Sequence, residues 1–193
     1  VEAEVVEEAI DAIRLGAEGN VPAALRHRIE HCSECPPNLI RKLARNGITV
    51  VTQPGFLYYS GERYLADVPS DRLPWLYPIR SLQAAGVPLA AGSDAPVIPL
   101  NPLMGVYSAV TRKAHSGDRL LYWEGLGVEE ALRLYTLGSA YASFEEGVTG
   151  SIKEGKRADL VLLDRDPTTV NPEEIKDIRV VMTVVQGEVV WEG

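Results

Sequence analysis

Apolar residues recur at helical spacing from the start of the chain. Val6, Ala9, Ile10 and Ile13 share one face, which predicts an amphipathic helix over residues 2–15 that Gly16 and Gly19-Asn20 end. A short segment from Leu25 to His31 follows, and then Leu39, Ile40, Leu43 and Ala44 predict a second helix with Pro37 near its start. Asn46-Gly47 interrupts the pattern, and Ile48-Thr49-Val50-Val51-Thr52, β-branched throughout, reads as a buried strand. The polar and aromatic stretch from Gly55 to Trp75 reads as a long loop of the kind that carries function. Residues 78–85 read as helix and residues 86–92 as a small buried strand, ended by Ser93-Asp94-Ala95-Pro96; residues 103–115 and 128–143 read as two more helices. This alternation over residues 1–145 predicts an α/β unit with parallel strands and helices outside them. From about residue 146 the pattern changes to strands and turns: Gly150-Ser151-Ile152, Asp159 to Asp164, and Val180 to Trp191 with a turn at Gln186-Gly187, which predicts a small β unit over 146–193.

Composition narrows the function classes. A hydrophobic content of 46 % suits a globular core, and a formal net charge of −8 with no compensating Lys/Arg block argues against nucleic acid as a partner. No apolar run approaches the ~20 residues that cross a bilayer, and the opening Val1-Glu2-Ala3-Glu4 has no basic-then-apolar pattern, so no membrane association and a cytoplasmic location are expected. The only cysteines, Cys32 and Cys35, form a C-x-x-C without a second Cys or Cys/His pair to complete a zinc clip. They read as ordinary residues on the approach to a helix.

Two polar positions stand where a short strand gives way to a loop: His31 in Arg28-Ile29-Glu30-His31, and Asp94 in Gly92-Ser93-Asp94-Ala95-Pro96. Loops at the carboxyl ends of parallel strands build active sites in α/β barrels. A neutral imidazole is a common zinc ligand, and a carboxylate can bind a metal or take a proton from its water. A lone histidine after a strand is also an ordinary satisfied or solvated side chain, and an Asp before Ala-Pro is also an ordinary turn or cap. The chain has no His-x-His to decide between these. His27 reads as structural, and His115 as a surface or capping residue near a helix end. The aromatics Phe56, Tyr58, Tyr59, Tyr64, Trp75 and Tyr77 either wall a substrate pocket or form a satellite core beneath the loop.

At these same positions the chain resembles the amidohydrolase superfamily, in its amidohydrolase family 3 branch. The segments that carry the resemblance are Arg28 to His31, Thr52-Gln53-Pro54, Ala91 to Pro96, Glu129 to Thr136, and Gly150-Ser151-Ile152-Lys153-Glu154-Gly155-Lys156-Arg157-Ala158-Asp159 through Pro167. The resemblance implies the C-terminal portion of a (β/α)8 barrel of the TIM type over residues 1–145, its last three strands and helices, and part of a small β-sandwich over 146–193. It implies one or two divalent metal ions, usually zinc. His31 then matches the metal-binding His of the sixth barrel strand, and Asp94 the Asp of the eighth, which contacts metal and shuttles a proton. Gln53, Ser93 and Tyr58 become candidates for contact with a small-molecule substrate. The family's His-x-His strand, bridging carboxylate or modified Lys, and a further His are not among these residues, and the chain opens about where the fifth helix is expected.

The implied activity, metal-dependent hydrolysis of C–N bonds in amides or cyclic amides, therefore belongs to a longer protein. The rival expectation is a non-catalytic chain: two candidate ligands do not fill a site that takes three protein ligands and a water. A partial barrel exposes strand edges, so such a chain is expected to form a homo-oligomer or to pair with a missing N-terminal segment.

Overall fold

The face read at the start of the chain forms as α1 (Ala3–Gly16), with Val6 and Ile10 fully buried. The computed structural model describes residues 2–193, apart from the side chain of Ala23. β1 (Arg28–Glu30), β2 (Thr49–Thr52) and β3 (Leu89–Ala91) make one parallel sheet in the order β1-β2-β3. In its register Ile29 lies beside Val50, and Val50 beside Leu89. Because side chains alternate along a strand, these three share one face. That face packs on α1, on α2 (Pro37–Arg45) and on Leu82 of α4 (Ile79–Ala84), around Leu39, Leu43 and Ile48. Each such fully buried aliphatic side chain contributes about 1.5–3 kcal/mol over leaving it in water.

Thr49 and Ala90 on the opposite face are buried as well. The cover there is the helical run α6 (Val128–Arg133), a π turn at Leu134–Gly138, and α7 (Ser139–Ala142). A Cβ placed on Gly138 would fall 2.3 Å from the Leu89 carbonyl oxygen, so only glycine lets the helix come so near β3. The Ser139 hydroxyl donates to the Ala91 carbonyl at 3.1 Å. Since Pro88 and Thr52 accept the bonds that join β2 and β3, the Leu89 and Ala91 carbonyls point to the outer edge of β3, which this run therefore covers. Arg28 of β1 reaches across to donate to Ala142 O. Arg26 adds a bidentate pair to Glu146 and lies over the Tyr141 ring at 4.0 Å.

The stretch read as a long loop is mostly helical: α3 (Phe56–Asp67) is followed by a short 3-10 turn at Leu73–Trp75. Its buried stripe is narrow, consisting of Leu57 and Gly61, and a Cβ at Gly61 would sit 2.6 Å from that of Ala114. A glycine at the contact point weakens the helical pattern, while packing against a segment some fifty residues away stabilises the helix. α5 (Pro102–Thr111) is capped by Asn101 and ends at Arg112, whose φ of 58° is left-handed.

In the last part of the chain β4 (Leu160–Leu163), β5 (Val180–Val185) and β6 (Glu188–Glu192) form an antiparallel sheet in the order β4-β5-β6. Gly150-Ser151-Ile152, read as strand, is a bend without ladder partners, because Gly150 takes a φ of 80° against Ala140. The 3-10 segment Pro172–Asp177 ties this part to α5 through buried Ile175 and a Tyr107–Glu173 hydrogen bond. No helix among the described residues is long and apolar enough to cross a membrane.

Candidate active site

Parallel register aligns the carboxyl ends of the three strands. His31 continues the ladder by donating its N–H to Val51 O at 2.8 Å, Gln53 follows β2, and Gly92 donates to Thr52 O at 3.0 Å before Ser93 and Asp94. His31, Gln53 and the Ser93-Asp94 pair therefore leave the same edge of one sheet, on three neighbouring strands. The backbone turns sharply there: His31 has φ 68°, Cys32 φ 50° and Asp94 φ 60°. Non-glycine residues in the left-handed region cost free energy and gather where a side chain must be aimed rather than packed. Among the described residues neither the imidazole of half-buried His31 nor the carboxylate of exposed Asp94 has a hydrogen-bond or ion-pair partner.

Gln53 differs from both. It is 4 % exposed, its side-chain amide donates to Val51 O at 3.2 Å, and its Oε1 is buried without a donor. The Ser93 hydroxyl accepts the Ala95 N–H at 3.2 Å. With Gly55, Tyr59 and Tyr135 it lines a cavity of about 10 Å³, room for one water.

Tyr58 is drawn elsewhere. On α3 its ring meets those of Tyr59 at 5.1 Å, Tyr107 at 5.9 Å and His115 at 5.3 Å, and its carbonyl accepts the His115 N–H. The neighbour that shares a cavity with Ser93 is Tyr59, a contact that reading this stretch as loop hides. Adjacent residues on a helix diverge by about 100°, so one of the two tyrosines turns to the core as the other turns to the strand ends. His115 lies beyond the end of α5, exposed, in the turn closed by Ala114 and Asp118.

His27 stands four residues before His31, a spacing that on a helix would place both rings on one face. Here β1 is extended, and ~13 Å of strand separates the two positions. Cys32 and Cys35 are free, buried, and packed among Leu39, Ile40 and Leu43. A hydrogen bond from Cys32, together with burial, pushes the Cys35 thiol far up, which makes it an inert core residue. Among the described residues no three His, Cys, Asp or Glu side chains converge on a point where a metal could sit.

The family model described as the amidohydrolase family matches residues 2–191. The chain belongs to the amidohydrolase family. Two curated relatives of this amidohydrolase chain match it over nearly its whole length. The putative amidohydrolase YtcJ of Bacillus subtilis is 34 % identical over 95 % of the chain and 36 % of its own length. The N-substituted formamide deformylase of Arthrobacter pascens is 33 % identical over 98 % of the chain and 34 % of its own. Among solved structures, an uncharacterized metal-dependent hydrolase from Pyrococcus horikoshii OT3 superposes with a TM-score of 0.74 at 26 % identity, over 89 % of this chain and 34 % of that one. The amidohydrolase chain thus spans about a third of the length of the relatives it matches.

Proposed function

We propose that this chain supplies the proton-transfer half of an amide-hydrolysing active site, with Asp94 as catalytic group and His31 as a metal ligand. The observation that carries this reading is the row of strand ends, in which His31, Gln53 and Asp94 leave neighbouring parallel strands on one edge with unengaged side chains at its two flanks. The match to an N-substituted formamide deformylase supports C–N bond cleavage in amides or cyclic amides as the reaction class. Asp94 would accept the proton of the attacking water and return it to the leaving nitrogen. Ser93 and Gln53 flank it as substrate contacts, whereas Tyr58, packed against Tyr107 and His115, is left out of that role.

A divalent ion, zinc in this reading, one or two in number, would polarise the carbonyl and acidify the water. The residues present do not make its site by themselves: a catalytic zinc takes three protein ligands and a water, and no such trio converges among the described residues. His31 and Asp94 are read as part of a ligand set that residues beyond these 193 complete. In the same reading residues 1–145 are the last three strands and helices of a (β/α)8 barrel, and 146–193 are part of a β-sandwich.

The test compares the zinc-supplied protein, in the length in which it naturally occurs, with its Asp94→Asn variant on formamides and cyclic amides, with bound metal measured in both. The expected outcome is turnover lowered by orders of magnitude in the variant with most of the metal retained. Undiminished turnover in Asp94→Asn would remove the proposed role.

A second reading has its own observation. β4 to β6 leave Leu160, Val161, Leu162, Val189, Val190 and Trp191 between 39 % and 59 % exposed, on a sheet with two open edges. Such a surface favours pairing with another β segment, and the chain would then act as a non-catalytic, self-associating unit. Sedimentation over a wide concentration range decides this, since a monomer throughout excludes it.

A further inference from the structure

Of the side chains at the row of strand ends, Gln53 alone is both buried and incompletely bonded. Which way its amide points is settled by chemistry. The Val51 carbonyl 3.2 Å away can only accept, so the NH2 group must face it and Oε1 must face the other way. Oε1 is then a buried acceptor with no donor, on a side chain that is 4 % exposed. Buried polar atoms are nearly always bonded, and one left unpaired is costly, so an orphan at a strand end marks a place where an outside donor belongs. The residue that follows, Pro54, has no N–H to offer. The other orphaned side-chain atom among the described residues is Thr49 Oγ1, four residues back along the same chain segment.

We propose that Gln53 is a specificity-determining residue whose Oε1 receives the N–H of the scissile amide, so that the protein takes secondary amides and rejects N,N-disubstituted ones. This rests on the amide-hydrolase reading of the same site. The chemistry is consistent with that reading. Water adds to the carbonyl carbon, the C–N bond breaks, and the water's proton passes through Asp94 to nitrogen, giving an acid and an amine. Once the nitrogen becomes tetrahedral its lone pair needs that proton. An N–H held by Gln53 turns the lone pair away from Gln53 and leaves it for Asp94. A buried acceptor also discriminates against an analogue that lacks the donor, because only a substrate carrying an N–H relieves the unpaired Oε1.

The test uses N-butylformamide and N-butyl-N-methylformamide with the zinc-supplied protein and its Gln53→Met variant, which keeps the side-chain length and removes the acceptor. Wild type is expected to favour the secondary amide in kcat/KM by more than about tenfold, the factor that ~1.4 kcal/mol represents. Gln53→Met should bring the two substrates within about threefold and melt no lower than wild type. An equal preference in both proteins overturns the proposal, because steric exclusion of the extra methyl group would explain it. A second arm does not depend on turnover: the Gln53 side-chain NH2 signal in a 1H–15N spectrum, assigned by its loss in Gln53→Met, should move with the secondary amide and not with the tertiary one. If neither amide is hydrolysed, the hydrolase reading falls. The spectrum then decides Gln53 alone, and a signal that ignores both amides overturns it.

Discussion

Replacing Arg112 by Met should cost this chain a large part of its stability. Arg112 is fully buried at the end of α5, and its guanidinium donates to Leu120 O at 3.0 Å, Tyr77 O at 2.9 Å and Leu76 O at 3.1 Å. Those bonds join three stretches of chain that share no sheet. Burial pushes the guanidinium down to about 10, with the Glu124 carboxylate opposing, so the group is still charged at neutral pH. Methionine fills similar space and meets the same left-handed backbone, so the change isolates the polar contacts. Tyr77 O keeps the Ile79 N–H at 2.8 Å, so the substitution leaves two carbonyls, Leu76 O and Leu120 O, without a donor. At about 1–3 kcal/mol each, partial relaxation brings the pair to roughly 2–4 kcal/mol. A domain of this size typically has a total stability of about 5–15 kcal/mol. The melting temperature should fall by about 4–16 °C at roughly 2–4 °C per kcal/mol. Equilibrium unfolding in urea, followed by circular dichroism and tryptophan fluorescence, measures the loss as a shift in midpoint at unchanged slope. The double variant Arg112→Met/Glu124→Gln should recover part of it, because Glu124 is otherwise left buried without its neighbouring cation. A loss below ~1 kcal/mol would refute the reasoning, since it would mean that Leu76 O and Leu120 O find other donors.

Two further changes probe how the last helix is held. The hydrogen bond from Arg26, with a backbone hydrogen bond, lowers the Glu146 carboxyl from 4.5 to about 2. A carboxylate whose pKa is depressed on folding stabilises the fold above its unfolded value and loses that contribution as the pH falls through the folded one. Glu146→Gln should therefore melt below wild type at pH 7, with the gap closing as the pH falls from 4.5 to about 2; a gap of constant size would show that the ion pair is not its source. Gly138→Ala should destabilise by about 1–3 kcal/mol in urea unfolding, despite the better helix propensity of alanine. The new methyl would meet backbone atoms, Leu89 O at 2.3 Å and Ala90 Cα at 3.3 Å, which have little freedom to yield. A more stable variant would mean that the helix does not lie against β3.

Most of the secondary structure could be read from the chain because its causes are local. The stripe of Val6 and Ile10 is a helix face whatever it packs on, Thr49 to Val51 is stiff and β-branched, and Gln186-Gly187 turns a hairpin between two apolar strands. The positions of His31, Gln53 and Asp94 after their strands could be read the same way, since a strand that ends in a polar residue announces where its loop begins. What could not be read depends on distant contacts. The helix at Phe56–Asp67 is held by Gly61 against Ala114, and its small buried face leaves little trace in the pattern. That placement then sends Tyr58 to the Tyr107 and His115 cluster and Tyr59 to the cavity beside Ser93.

By itself the sequence determined most of the elements, the passage from parallel α/β to antiparallel β structure along the chain, and the residue types at the strand ends. Only the tertiary structure decided what surrounds them. It laid the α6–α7 run along the open edge of β3, set Arg112 among three carbonyls, and left Gln53 Oε1 without a partner while Asp94 stands in solvent. Periodicity records which way a side chain points relative to its own backbone. Whether a polar atom finds a donor depends on groups brought near it by the rest of the fold, and no local pattern carries that information.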